Sequence, residues 1–446
     1  MANNPVKFSY KQIWLIAYPI LISLVMEQLI GMTDTAFMGR VGEVELGASA
    51  IAGVYYMTFY MIAFGFSLGA QIIMGRRNGA GDYEQIGPIF YKGTYFLLGV
   101  ALVLFFGSRF VSPFLLDRVI DSPHVYEAAM SYIHWRVYGF FFAFVAVMFR
   151  AFFVGTTQTK TLTLNSVVMV LSNVVFNYVL VFGKLGFPAM GIAGAAIGSS
   201  LAELVSVIFF IVYTRLHIDV KRYGLNRFGL RGGESLRHIL SVSVWTMIQN
   251  FVSMSTWFLF FIAVEHLGER SLAITNIIRN VSALPFMIVI TFASTCSTLI
   301  SNLIGAGETH YVRGTLNQCV RMAYLFEFPL LLLFVLFPTY ILRIYTDMPD
   351  LVAASIPSLF VLCSAYIFIV PGNVYFQAVS GTGNTRMAFF LELITLAIYI
   401  GYVIGLIFYL KVDVAICWTT EHIYAIGILL FSASYMKWGN WKNKKI

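Results

Sequence analysis

Twelve apolar runs, all of them longer than 20 residues, fill this chain almost from end to end. They lie near 13–38, 47–73, 93–116, 128–154, 163–183, 192–214, 239–264, 273–303, 320–343, 352–379, 387–410 and 416–436. About 20 consecutive apolar residues in a helix cross the hydrocarbon core of a bilayer. The pattern therefore predicts an all-α polytopic membrane protein of twelve transmembrane helices, with no separate soluble domain. A chain that is 59% hydrophobic and 11% charged, with mean hydropathy +0.80, has too little charge to solubilise a globular core.

The basic residues orient it. With both termini cytoplasmic, 19 of the 29 Lys and Arg fall in inside segments, among them Arg76, Arg77, Lys92, Arg215, Lys221, Arg222, Arg227, Arg231, Lys444 and Lys445. The positive-inside bias accounts for the net charge of +8 and removes the reason to expect a nucleic-acid partner. The opening MANNPVKFSYKQ lacks the h-region and cleavage site of a signal peptide, so the first span reads as retained. Cys296, Cys319, Cys363 and Cys417 lie in or beside apolar runs with no CxxC spacing, which argues against disulfides and zinc.

The chain repeats itself. VG at 41–42 has LG at 267–268, GAGD at 79–82 has GAGE at 305–308, and GTTQTK at 155–160 has GTGNTR at 381–386. All three pairs share one offset, close to half the chain, which points to a duplicated six-span unit. The expected parts are an N-terminal lobe at 1–214, a basic cytoplasmic linker at 215–238 and a C-terminal lobe at 239–446. Six spans is an even number, so the two lobes, each a six-helix bundle, enter the membrane in the same direction. They are expected to be related by a pseudo-two-fold axis near the membrane normal, with a substrate cavity at their interface.

Within the first span, MEQLIGMTDTAFMGRVG (26–42) carries Glu27 and Asp34 seven residues apart, two turns along one face. An acid at the bilayer centre costs roughly 2.5–3.5 kcal/mol on insertion scales, so it usually faces protein or water. One reading is an ion or proton site; the other is an acid at a helix end or paired with a buried base. Span five offers Ser166, Asn173 and Asn177 on one face, and span six offers Ser199, Ser200 and Glu203. Candidate cavity residues are Tyr132, then Asn250, Ser253 and Trp257, then Tyr366, Asn373 and Gln377. Interhelical hydrogen bonding is the alternative for the Ser and Asn residues. Arg279 and Glu392 are expected to reach the membrane interface, and Glu327 has no assigned role. There is no phosphate loop and no HExxH, so neither ATP-driven transport nor a metalloenzyme is expected. No resident cofactor or metal is expected beyond a coupling ion.

Two six-span halves, the aspartate of MTDTAFMGRVG, NVVFNYVLVFGKLG in span five and GIAGAAIGSS opening span six together resemble the multidrug and toxic compound extrusion (MATE) family. The likeness covers essentially the whole chain. It implies a pair of bundles that alternates between inward-open and outward-open states. It also implies a monomer in the bacterial inner membrane that exports organic cations or amphipathic drugs and metabolites by antiport with H⁺ or Na⁺. The family's N-lobe cation site carries over to Asp34, Asn173, Asn177 and Ser199 or Ser200. Where some members have an aspartate this chain has Asn177, which favours H⁺. Another branch has acids in spans seven and ten, where this chain has Ser253 and, approximately, Ile369. Two rivals are carried along. A lipid or lipid-linked oligosaccharide flippase would need a basic cavity, for which Arg279, Arg136 and Arg150 are the candidates. An integral-membrane enzyme would need a convergent catalytic set, and none is visible.

Overall fold

A computed structural model describes residues 6–120, 122–226 and 235–442. Arg227, Arg231, Lys444 and Lys445 of the orientation argument, and 227–234 of the expected linker, lie outside the described residues. The described residues form helices and turns with no strand.

The first half runs α1 (Tyr10–Val41), α2 (Glu43–Gly79), α3 (Ile86–Val119), α4 (Pro123–Arg136), α5 (Gly139–Gly155), α6 (Lys160–Phe182) and α7 (Gly191–His217). The second runs α8 (Leu236–Glu265), α9 (Glu269–Gly305), α10 (Val312–Leu336), α11 (Pro338–Arg343), α12 (Pro349–Gly381), α13 (Thr385–Ile404), α14 (Val414–Cys417) and α15 (Thr420–Trp438). Among the described residues ten helical segments are long and apolar enough to cross a membrane, and α4 with α5 makes an eleventh bent by 53°. The 30 residues of α8 extend about 45 Å, enough for the twelfth.

The period of the repeat survives in the backbone. The starts of α1, α2, α3 and α4 recur at those of α8, α9, α10 and α12, and α5 ends at Gly155 as α12 ends at Gly381. The turns recur too: Gly81 and Gly307 both take left-handed φ, near 77° and 75°. Only a residue without Cβ adopts this freely, which explains why both GAG turns are glycine-rich.

Three expected spans are interrupted. Span four breaks at Val137–Tyr138, next to the buried Arg136. A Cβ on Gly139 would stand 2.2 Å from Arg136 Nη1 and 2.5 Å from Glu203 Oε2. The 320–343 span ends at Leu336, since Pro338 has no N–H to continue the helix and holds Phe337 at non-helical angles. The 387–410 span widens into a π-turn at Gly405–Tyr409.

Packing divides the chain into Ile22–Met247 and, as a second unit, Met1–Leu21 with Ile248–Ile446. These units differ from the expected lobes in where the first helix of each half belongs. In the first unit the start of α8 lies against α2. Here a Cβ on Gly65 would come within 2.7 Å of Met247 Cα, one on Gly69 within 2.5 Å of Ser243 Cα, and Thr246 Oγ1 donates to Gly65 O at 2.6 Å. In the second unit the start of α1 supplies Ile13 and Ala17 to a core built on Phe292, Leu299, Tyr366 and Val370. Trp14 stacks on Phe326 with centroids 4.4 Å apart, and Lys7 pairs with Glu308. All four cysteines are buried and free.

Candidate cation-coupling site

In the first unit, α6 and α7 run in close contact because glycine faces the neighbour twice. A Cβ on Gly194 would lie 2.6 Å from Leu180 O, and one on Gly198 would lie 2.2 Å from Asn177 Oδ1. This small-xxx-small spacing lets the backbones meet and brings the polar face of α6 against Ser199.

Asp34 of α1 closes a ring with these side chains. Asn177 Nδ2 donates to Asp34 Oδ1 at 2.6 Å and to Asn173 Oδ1 at 3.2 Å. Asn173 Nδ2 donates to Ser199 Oγ at 3.1 Å, and Ser199 Oγ donates to Asp34 Oδ2 at 3.2 Å. Each carboxylate oxygen thus accepts one bond, from a neutral donor in both cases. Asn177 is fully buried, yet its Oδ1 has no partner. An orphaned acceptor is uncommon in a buried network, and this one packs against Gly198 while the amide nitrogen faces the carboxylate.

The other two acids of the expected coupling set, Glu203 and Glu27, are each paired with an arginine. Glu203 accepts from Arg136 Nη2 at 2.6 Å and Nη1 at 2.8 Å, and Tyr56 OH donates to it at 3.2 Å. The Arg136 guanidinium also stacks 3.7 Å above the Tyr56 ring. Glu27 accepts from Arg150 Nη1 at 3.0 Å and from Ser23 Oγ at 3.4 Å, and Ser166 Oγ donates to Ser23 Oγ at 2.9 Å. The expected coupling set therefore separates into three groups. Asp34, Asn173, Asn177 and Ser199 form one network, Glu203 sits in an ion pair beside it, and Glu27 sits in another. Ser200 donates to Ala196 O at 2.9 Å and accepts weakly from Arg136 Nη1 at 3.4 Å. Tyr132 is buried on α4, one turn before Arg136. The roles of Arg136 and Arg150 as partners were not visible in the sequence, since each lies on a helix remote from its acid.

In the second unit, Asn250, Ser253, Trp257, Asn373 and Gln377 are half-buried and Tyr366 is buried. Tyr366 OH donates to Ser282 O at 3.1 Å, and Asn373 Nδ2 to Ile369 O at 3.0 Å. Arg279 lies over Trp257 and Phe261, 5.9 and 5.3 Å from the ring centroids. Glu392 departs from expectation. It does not reach out to the membrane interface but is 3% exposed, because α8 and α15 cover it with Ser253 and Tyr424.

The chain matches the family model described as MatE over residues 19–179 and 246–407. It is similar to a probable multidrug resistance protein NorM of Thermotoga maritima, 24% identical over 388 residues, covering 84% of this chain and 80% of the relative. A NorM of Shewanella oneidensis is 23% identical over 390 residues, covering 86% and 84%. Among solved structures, an outward-facing multidrug resistance MATE family transporter superposes with TM-score 0.86 at 16% identity, covering 98% of this chain and 97% of its own. The eukaryotic MATE transporter AtDTX14 superposes with TM-score 0.83 at 17% identity, covering 97% and 96%.

Proposed function

Because this chain belongs to the MatE family, whose members are transporters and not enzymes, we propose that it is a proton-coupled exporter of organic cations and amphipathic compounds. The observation that carries the reading is the hydrogen-bond ring around Asp34, in which the acid accepts from neutral donors while the nearby Arg136 is bound to Glu203. Glu27 and Glu203 have permanent cationic partners and are unsuited to releasing and rebinding a cation. Asp34 is suited to it.

With the N-terminus inside, Asp34 stands in the outer half of the first span and takes its proton from outside. The ionised form accepts from Asn177 and Ser199. The protonated form becomes a donor, and the unpartnered Asn177 Oδ1 is the acceptor within reach once the amide turns over. Protonation thus rearranges the contact of α1 with α6 and α7. A ligand that favours one of two arrangements shifts their populations by its differential affinity. Substrate recognition is assigned to the aromatic and amide groups of Trp257, Tyr366, Asn373, Asn250 and Gln377, which suit flat organic cations. The flippase reading loses two of its three candidate cations, since Arg136 and Arg150 are held by Glu203 and Glu27.

The test is transport in proteoliposomes under separately imposed pH and Na⁺ gradients. Asp34→Asn is expected to insert normally and lose pH-driven export, and Asn177→Ala to lose less. Normal export by Asp34→Asn at equal membrane abundance overturns the mechanism. Unchanged ethidium accumulation in cells with and without the protein moves the reading to a flippase.

A further inference from the structure

The internal repeat exposes an exchange of residues between the halves. At the offset that relates GAGD to GAGE, Ser253 of α8 matches Glu27, and Glu392 of α13 matches Ser166. In the first unit the acid is on the first helix and the serine on the fifth span; in the second unit the acid and the serine have traded places. Ser253 Oγ reaches Glu392 Oε1, and Tyr424 OH donates to the same oxygen at 3.3 Å. The base has not followed. Arg150, which neutralises Glu27, has Phe376 as its counterpart at the same offset.

Glu392 is therefore a buried acid with neutral neighbours. From α8 it meets Ser253, and between His238 and Glu265 that helix has no charged residue. From α15 it meets Tyr424, with Glu421 one turn earlier, which is itself an acid. Tyr399 lies two turns further along α13. The only charged residue of α12 is Asp350 in its first turn. No cation faces Glu392 among the described residues, and its Oε2 has no partner. An ionised carboxylate kept so deep without a counter-charge carries a large desolvation cost.

The geometry provides a hydrogen-bond arrangement for both states. Ser253 has one hydroxyl proton and two acceptors in reach, Glu392 Oε1 and Gln249 O at 2.8 Å. When Glu392 is ionised, Ser253 and Tyr424 both donate to Oε1. When Oε1 is protonated, it donates to Ser253, which turns its own proton to Gln249 O. A single hydroxyl rotation thus follows the proton. We propose that Glu392, Ser253 and Tyr424 form a second exchangeable proton site of this protein, in the unit that does not hold Asp34. The proposal stands on the second unit alone and does not depend on the role of Asp34.

The test uses the full chain in lipid vesicles, read by infrared difference spectra of its carboxyl groups as pH is varied. A carboxyl band that titrates is expected to persist in Asp34→Asn, to disappear in Glu392→Gln and to shift in frequency in Ser253→Ala. Loss of a different band in Asp34→Asn reports on that residue separately. If Glu392→Gln fails to reach the membrane, Ser253→Ala retains the carboxyl and carries the test. Identical titrating spectra in wild type and Glu392→Gln, or an unshifted band in Ser253→Ala, overturn the proposal.

Discussion

Removing the charge of Glu203 while leaving its shape, as in Glu203→Gln, strands Arg136 in a nearly closed environment. The two side chains are only 8% and 10% exposed, and the guanidinium commits two short bonds to the one carboxylate. Breaking a buried pair by removing one partner costs about 3–5 kcal/mol, because the survivor keeps its desolvation penalty without its counter-charge. The Tyr56 ring, 3.7 Å from Arg136, offsets part of this, since a desolvated cation–π contact contributes about 2 kcal/mol. The stranded guanidinium keeps that contact and is not left wholly uncompensated, so the loss should stay near the lower end. About 3 kcal/mol is expected, a shift of roughly a hundredfold in the folding equilibrium. Arg136→Gln should cost a similar amount. The double variant removes both charges and should recover about 2 kcal/mol relative to the sum, a coupling within the range of contacting pairs. Reversible unfolding in bicelles, with all four proteins at one lipid composition, measures the cycle. A Glu203→Gln loss below about 1 kcal/mol, or simple additivity in the double variant, refutes a buried and energetically coupled pair.

Other substitutions probe the site and the repeat. Gly198→Ala puts a methyl group 2.2 Å from Asn177 Oδ1, so export under a pH gradient should fall toward the level of Asn177→Ala at equal abundance. Thr157 holds φ near 61° where the repeat has Gly383 at 82°. Thr157→Gly should therefore relieve strain of about 1–2 kcal/mol, less glycine's entropy cost, and raise the unfolding midpoint. Cysteine in place of Asn250 or Gln377 should react with a water-soluble thiol reagent, and the four buried native thiols make the background silent. Inertness of both positions from both sides of the membrane would remove them from the substrate path.

Much of the architecture was legible because the duplication kept its length. Landmarks as short as GAGD and GAGE predict the period that the helix starts then follow, from Tyr10 and Leu236 to Pro123 and Pro349. The ring around Asp34 was legible for a similar reason, since Asn173 and Asn177 share a face and Ser199 opens the adjoining helix. Pairings between distant helices were not. Nothing near Glu203 in the chain announces Arg136, and nothing near Glu27 announces Arg150. Glu392 was misjudged because distance from a helix end measures access only when no neighbouring helix covers the residue, and α8 and α15 do. The break beside Arg136 was not legible either, since apolar periodicity alone suggests a continuous span there.

Each half begins its first helix in the other half's packing unit: Tyr10–Leu21 with the second, Leu236–Met247 with the first. In oligomers, reciprocal exchange of one element between two like subunits is domain swapping. Here the two subunits are covalently one chain. A fragment ending in the linker would carry Ile13, Ala17 and Trp14 away from Phe292 and Phe326, and leave α2 without the α8 turn that covers Gly65 and Gly69. The complementary fragment would be missing what the first one carries. Neither half is a self-sufficient folding unit, and translation must pass α8 before the first unit can be completed.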